Sequence, residues 1–147
     1  MKNLNLIIIL TTFISCNFNK IHENRLTDKE DAEKVINRLY SLTSNVDDSR
    51  IYEIFSPKFY KATTKDELKR IIETANSKAG KIGSDSLLVW KTKVLEGTDS
   101  KSEYLLTYYV RREQFNTLET FSMEKEKEND SIKIIGYDIK IDNRGSK

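Results

Sequence analysis

The stretch Leu87-Leu88-Val89-Trp90-Lys91-Thr92-Lys93-Val94-Leu95 decides the fold. It is short and rich in β-branched and aromatic residues, so it reads as a strand. Side chains on a strand alternate with period two. That places Leu88, Trp90, Thr92 and Val94 on one face, and Leu87, Val89, Lys91, Lys93 and Leu95 on the other. Two lysines make the second face the wet one. Trp90 is therefore expected to face the interior.

Three further runs, residues 104–110, 118–123 and 132–141, follow at hairpin spacing. Tyr104, Leu106, Tyr108 and Val110 share a face, as do Phe121 and Met123. In the last run Ile132 and Ile134 precede Gly136. A glycine inside a strand often marks a bulge, which here would bring Tyr137, Ile139 and Ile141 onto the same face. Short connections make neighbouring strands antiparallel.

Three helical patterns precede these runs. Thr27-Asp28-Lys29-Glu30 reads as a capping box opening a helix with Ala32, Val35, Ile36, Leu39 and Tyr40 at 3-4 spacing. Residues 45–48 break it. Ser49 or Asp48 can cap a short second helix carrying Ile51, Ile54 and Phe55, and Pro57 ends that segment. Phe59 and Tyr60 anchor the corner. A second capping box, Thr64-Lys65-Asp66-Glu67, opens a third helix with a stripe of Leu68, Ile71, Ile72 and Ala75, stopped at Gly80. Residues 81–86 read as a loop into the sheet. Three helices and four strands make an α+β domain over 27–142, followed by a polar tail, 143–147.

The 147 residues suit one domain. Apolar residues make up 37% and charged residues 33%, with 10% aromatic, enough bulky material for one core. Twenty-five basic against 23 acidic residues leave a net charge of +2, without the concentrated basic patch of a nucleic-acid binder. The single Cys excludes an internal disulfide.

Residues 1–15 read as a secretion signal: Lys2, then an apolar stretch shorter than the ~20 residues needed to span a bilayer. Phe13-Ile14-Ser15-Cys16 resembles a bacterial lipobox, with Phe13 where Leu is usual. The resemblance implies cleavage before Cys16 and its lipidation, so that the membrane is the first partner and the cell envelope the location. Residues 16–26 read as a tether.

The order of elements resembles the nuclear-transport-factor-2-like (cystatin-like) α+β fold, and within it small bacterial lipoprotein families without an assigned activity. Phe55-Ser56-Pro57-Lys58-Phe59, the helix over 66–79 leading into Leu88-Val89-Trp90-Lys91, and Ile132-Lys133-Ile134-Ile135-Gly136-Tyr137 carry it. Where such families often have Trp, this chain has Ile132. The resemblance implies helices packed on a curved, cone-like four-stranded antiparallel sheet. Enzymes of this fold often use an Asp, His or Tyr inside the cone. Here Tyr40, Tyr104, Tyr108 and Tyr137, with Trp90, are the candidate pocket-lining residues, and no acidic residue is placed clearly on their face.

Little other chemistry is on offer. His22 is the single imidazole and falls in the tether, which removes Cys–His, Ser–His–Asp and zinc arrangements. Asp47 and Asp48 read as turn and cap residues rather than calcium ligands. Lys58, Lys61, Lys65, Lys69 and Arg70 read as a solvated surface, and residues 80–83 match no phosphate loop. No metal or cofactor is expected, and no catalytic residue is assigned. The expected function is a non-catalytic envelope lipoprotein that binds a protein or a small apolar ligand on the concave sheet face. The alternatives are an immunity- or inhibitor-type protein, and a small hydrolase or isomerase using the cone.

Overall fold

The computed structural model describes residues 19–43, 48–97, 100–126 and 130–142. The signal segment 1–15, Cys16, the start of the tether, residues 45–47 and the tail 143–147 lie outside the described residues. The chain forms β1 (Lys20–Glu23), α1 (Leu26–Leu42), a 3-10 helix (Ser49–Ile54), a 3-10 turn (Phe59–Lys61) and α2 (Lys65–Ala79). Four long strands follow: β2 (Ile82–Glu96), β3 (Lys101–Arg112), β4 (Thr117–Lys125) and β5 (Ile132–Ile141). One antiparallel sheet runs β1-β2-β3-β4-β5 in sequence order. The α+β class and the meander are as expected. The strand count is not: there are five among the described residues.

The extra strand arises inside the segment read as a tether. Lys20 lies opposite Glu96 and Glu23 opposite Lys93. Four residues carry too little pattern to read as a strand alone, but the exposed edge of β2 supplies the partner groups. Asn24 ends the pairing. Its backbone N–H donates to the Thr92 carbonyl at 2.9 Å, and its side-chain oxygen accepts from the Thr92 amide at 3.1 Å. Its φ of 53° is a left-handed conformation that asparagine tolerates. The turn launches α1 two residues early. Arg25 takes the N-cap position without a side-chain cap, so the capping box expected at Thr27 and Glu30 does not form. Instead the Arg25 guanidinium holds Asp28 in the first turn at 2.8 Å.

The second capping box forms as expected. Thr64 Oγ1 accepts from the Glu67 amide at 3.2 Å, and the Glu67 carboxylate accepts from the Thr64 amide at 2.7 Å. Gly80 closes α2 at φ 83°, and an added Cβ there would lie 2.7 Å from Glu113 Cβ. Of the expected α2 stripe, Leu68 and Ile72 are buried, whereas Ile71 is 38% exposed. Asp48, rather than Ser49, caps the 3-10 helix by accepting from the Arg50 amide.

Two bulges reshape β2. It begins at Ile82, inside the segment read as a loop, with a register shift between Ile82 and Ser84 and a second between Leu87 and Val89. The second shift leaves Leu88 as an extra residue. Leu87 and Trp90 therefore pack towards the core, while Leu88 is 53% exposed, which corrects its expected place beside Trp90. In β5 the shift leaves Ile135, the residue before Gly136, unpaired, and Tyr137 joins Ile132 and Ile134 against the core. α1 buries Ala32, Ile36 and Leu39 against the sheet face formed by Tyr104, Leu106, Tyr108, Val110, Phe121 and Met123. Phe55 bridges Ile134 beyond β5, and the Ser56 amide donates to the Ile134 carbonyl at 2.9 Å.

Candidate functional site

The inner sheet face is filled rather than open. Tyr104 and Tyr108 are buried in the core. Tyr137 stacks on Phe121 with ring centres 4.7 Å apart, and Tyr40 meets Tyr108 edge-on at 5.9 Å. Trp90 packs against the same cluster. Of the five residues expected to line a pocket, Tyr40 borders a hollow of about 520 Å³ with Thr43, Asn76, Gly80 and Ile82. Tyr104 contributes to a hollow of about 460 Å³ beside Lys91, Leu105 and Ile135. Among the described residues the buried hydroxyls of Tyr40 and Tyr108 have no hydrogen-bond partner within 3.5 Å.

An acidic residue does stand on the tyrosine face, contrary to expectation. Glu119 is fully buried. Its carboxylate accepts from Tyr137 OH at 2.8 Å, Arg112 Nη2 at 2.7 Å and Thr117 Oγ1 at 2.8 Å. Arg112 also donates to Thr117 Oγ1 at 3.2 Å, and to Asn76 Oδ1 and the Gly80 carbonyl at 3.1 Å each. Asn76 in turn donates to the Thr43 carbonyl at 3.0 Å. The network ties the ends of both α-helices to three strands. Burial, and then the Glu119 charge, hold the Tyr137 and Tyr40 phenols well above their usual range. A general base must come within hydrogen-bond reach of a substrate proton. Glu119 is instead committed to three protein donors and borders none of the hollows described, so its geometry is that of a structural anchor. Period two counted back from Phe121 does place Glu119 inside, but a lone Glu between Leu118 and Thr120 reads as surface charge.

A groove of about 680 Å³ runs between α2 and β5. That volume falls in the range common for small-molecule sites. Ile71, Ala75 and Ala79 form one wall, Ile139 and Ile141 the other, with Thr117 between them. Ile71 and Ile141 are 38% and 42% exposed. Glu67, Arg70 and Lys78 border the groove. Glu67 keeps its negative charge while its carboxylate accepts from the Thr64 amide and hydroxyl, so the rim carries two cations, Arg70 and Lys78, against one anion. Sequence reading missed this site because Ile71 belongs to a helical stripe that normally signals core.

His22 is not a solvated linker residue. It stands on β1 with its side chain 19% exposed, and Nε2 lies 3.4 Å from the Glu96 carboxylate. Among the described residues no cluster of three His, Cys, Asp or Glu side chains could hold a metal ion, and no helix is long and apolar enough to cross a membrane. Comparison with protein-family models, with curated proteins and with solved structures finds no match to this chain.

Proposed function

We propose that the protein is a non-catalytic, lipid-anchored binding module of the bacterial cell envelope that holds a small ligand with an apolar body in the groove between α2 and β5. The groove itself carries this reading: it gathers Ile71 and Ala75 of α2 with Ile139 and Ile141 of β5 around one cavity, with Ile71 and Ile141 still 38% and 42% exposed. Arg70 and Lys78 suit an acidic group at one end of such a ligand. The anchor rests on Cys16 and the lipobox-like residues before it. The finer fold reading, a cone of the nuclear-transport-factor-2-like type, is supported by α1 lying across β2, β3 and β5 and by bulges that bend β2 and β5. With the cone filled by aromatic rings, the ligand site moves from the concave face to its flank.

Titration with dansyl-labelled undecanoic acid tests the groove. Saturable binding is expected in the parent, lost in Ile71→Asp and weakened in Lys78→Ala. Both positions reach solvent, and unaltered Trp90 emission checks that each variant keeps the fold. Equal binding by Ile71→Asp would remove the groove from consideration.

A further inference from the structure

One edge of the sheet is left bare for most of its length. β1 covers β2 only over residues 93–96, and Asn24 occupies both backbone groups of Thr92 before the chain departs into α1. From Ser84 to Lys91 no described strand pairs with the outer side of β2. Exposed edges are usually guarded by lysine, proline or a covering segment. The far edge, β5, has such guards: Phe55 and Ser56 pair with Ile134, and Lys133 and Lys140 lie along it. The bare part of β2 carries no proline, and its one lysine, Lys91, stands at its end beside Thr92, away from Leu88 and Val89. It presents Leu88 and Val89, 53% and 49% exposed, set side by side by the bulge.

We propose that this edge captures an extended segment of a partner protein as an added strand, apolar opposite Leu88 and Val89 and carrying a Lys or Arg opposite Asp85. Backbone pairing supplies the affinity, and alternate side chains supply the choice of partner. Asp85 lies opposite Val110 in the β2–β3 ladder, and its exposed side chain makes no ion pair or side-chain hydrogen bond among the described residues. Burial, and then the charges of Glu119 and Glu33, disfavour its ionised form, so a cation on the added strand is the complement that fits there. A second copy of this chain fits poorly. An antiparallel β2–β2 pairing centred on Leu88 would drive the start of one β2 into the place held by β1 on the other. In the long registers that avoid this, Leu88 and Val89 fall opposite residues between Gly83 and Ser86, which are polar or glycine.

Panning a displayed library of random linear peptides against the full chain in detergent micelles tests the edge. Enriched peptides should alternate apolar residues and carry a Lys or Arg. Their affinity should drop about tenfold or more in Leu88→Lys and in Val89→Lys, and less in Asp85→Asn. Ile71→Asp should leave it unchanged, so failure of the groove and failure of the edge remain distinguishable. Unaltered Trp90 emission certifies the fold of each variant. Three results would overturn the proposal: no enriched peptide, peptides indifferent to both lysine variants, or a dimer that Leu88→Lys converts to monomer, which would make the occupant a second copy.

Discussion

Tyr137 on β5 donates its hydroxyl to the Glu119 carboxylate on β4 across 2.8 Å, beside a core built mainly of aliphatic and aromatic side chains. A buried carboxylate is tolerable only when paired and hydrogen-bonded. Here Arg112, Thr117 and Tyr137 supply three donors, and Arg112 carries the tie onward to the end of α2.

Breaking this pair from one side should be costly. Glu119→Ala leaves the Arg112 guanidinium, 3% exposed, without its counter-charge. The expected loss is about 3–5 kcal/mol in urea unfolding. The double variant Glu119→Leu with Arg112→Met should be markedly more stable than the sum of the single losses. Additive losses would show that the two residues do not act as a pair.

Stability should fall in alkali. The Tyr40, Tyr108 and Tyr137 phenols are held above their ordinary value, first of all by burial, and Tyr60 is pushed up to about 12. A folded-state pKa above the unfolded one means that the stabilisation is complete below about pH 10 and is lost as the pH rises towards the folded values. Phenolate absorbance of the native chain should therefore lag that of the urea-unfolded chain above about pH 10. Coincident titrations would place these phenols in water.

The Leu87–Val89 bulge turns Leu88 out of the core that holds Leu106. Leu106→Ala should cost about 2–5 kcal/mol because Leu106 is fully buried in the core. Leu88→Ala, half exposed on the bulge, should stay within about 0.5 kcal/mol. Trp90, packed on the core, should emit to the blue of free tryptophan and resist iodide. A Leu88→Ala loss as large as that of Leu106→Ala would contradict the bulged register.

Cys16→Ser should abolish membrane association or leave the chain uncleaved. Fractionation compares it with the parent. A mature-length Cys16→Ser species in the membrane fraction would refute the lipid anchor.

The second capping box was legible because Thr64 and Glu67 are three residues apart and act within one turn. The first was not, although Thr27 and Glu30 have the same spacing. Asn24 must bond to Thr92, 68 residues away, and that tether sets where α1 begins. Leu88 was misplaced for a similar reason, since period two holds only where no residue is inserted. The groove between α2 and β5 left no local mark. Ile71 has the spacing of a core residue, and only the placing of β5 decides that it meets solvent.

The amino-acid order alone determined the α+β class, the antiparallel meander, the inward set Tyr104, Leu106, Tyr108 and Val110, and the limits of α2. Each depends on side chains within a few residues of one another, where periodicity and capping act. Tertiary structure alone decided the fifth strand, the burial of Glu119 with Arg112 and Tyr137, the groove beside Ile71 and the bare edge of β2. Each depends on which distant backbone groups and charges are brought together, and a buried charge or an open edge acquires its energy only from the neighbours that folding supplies.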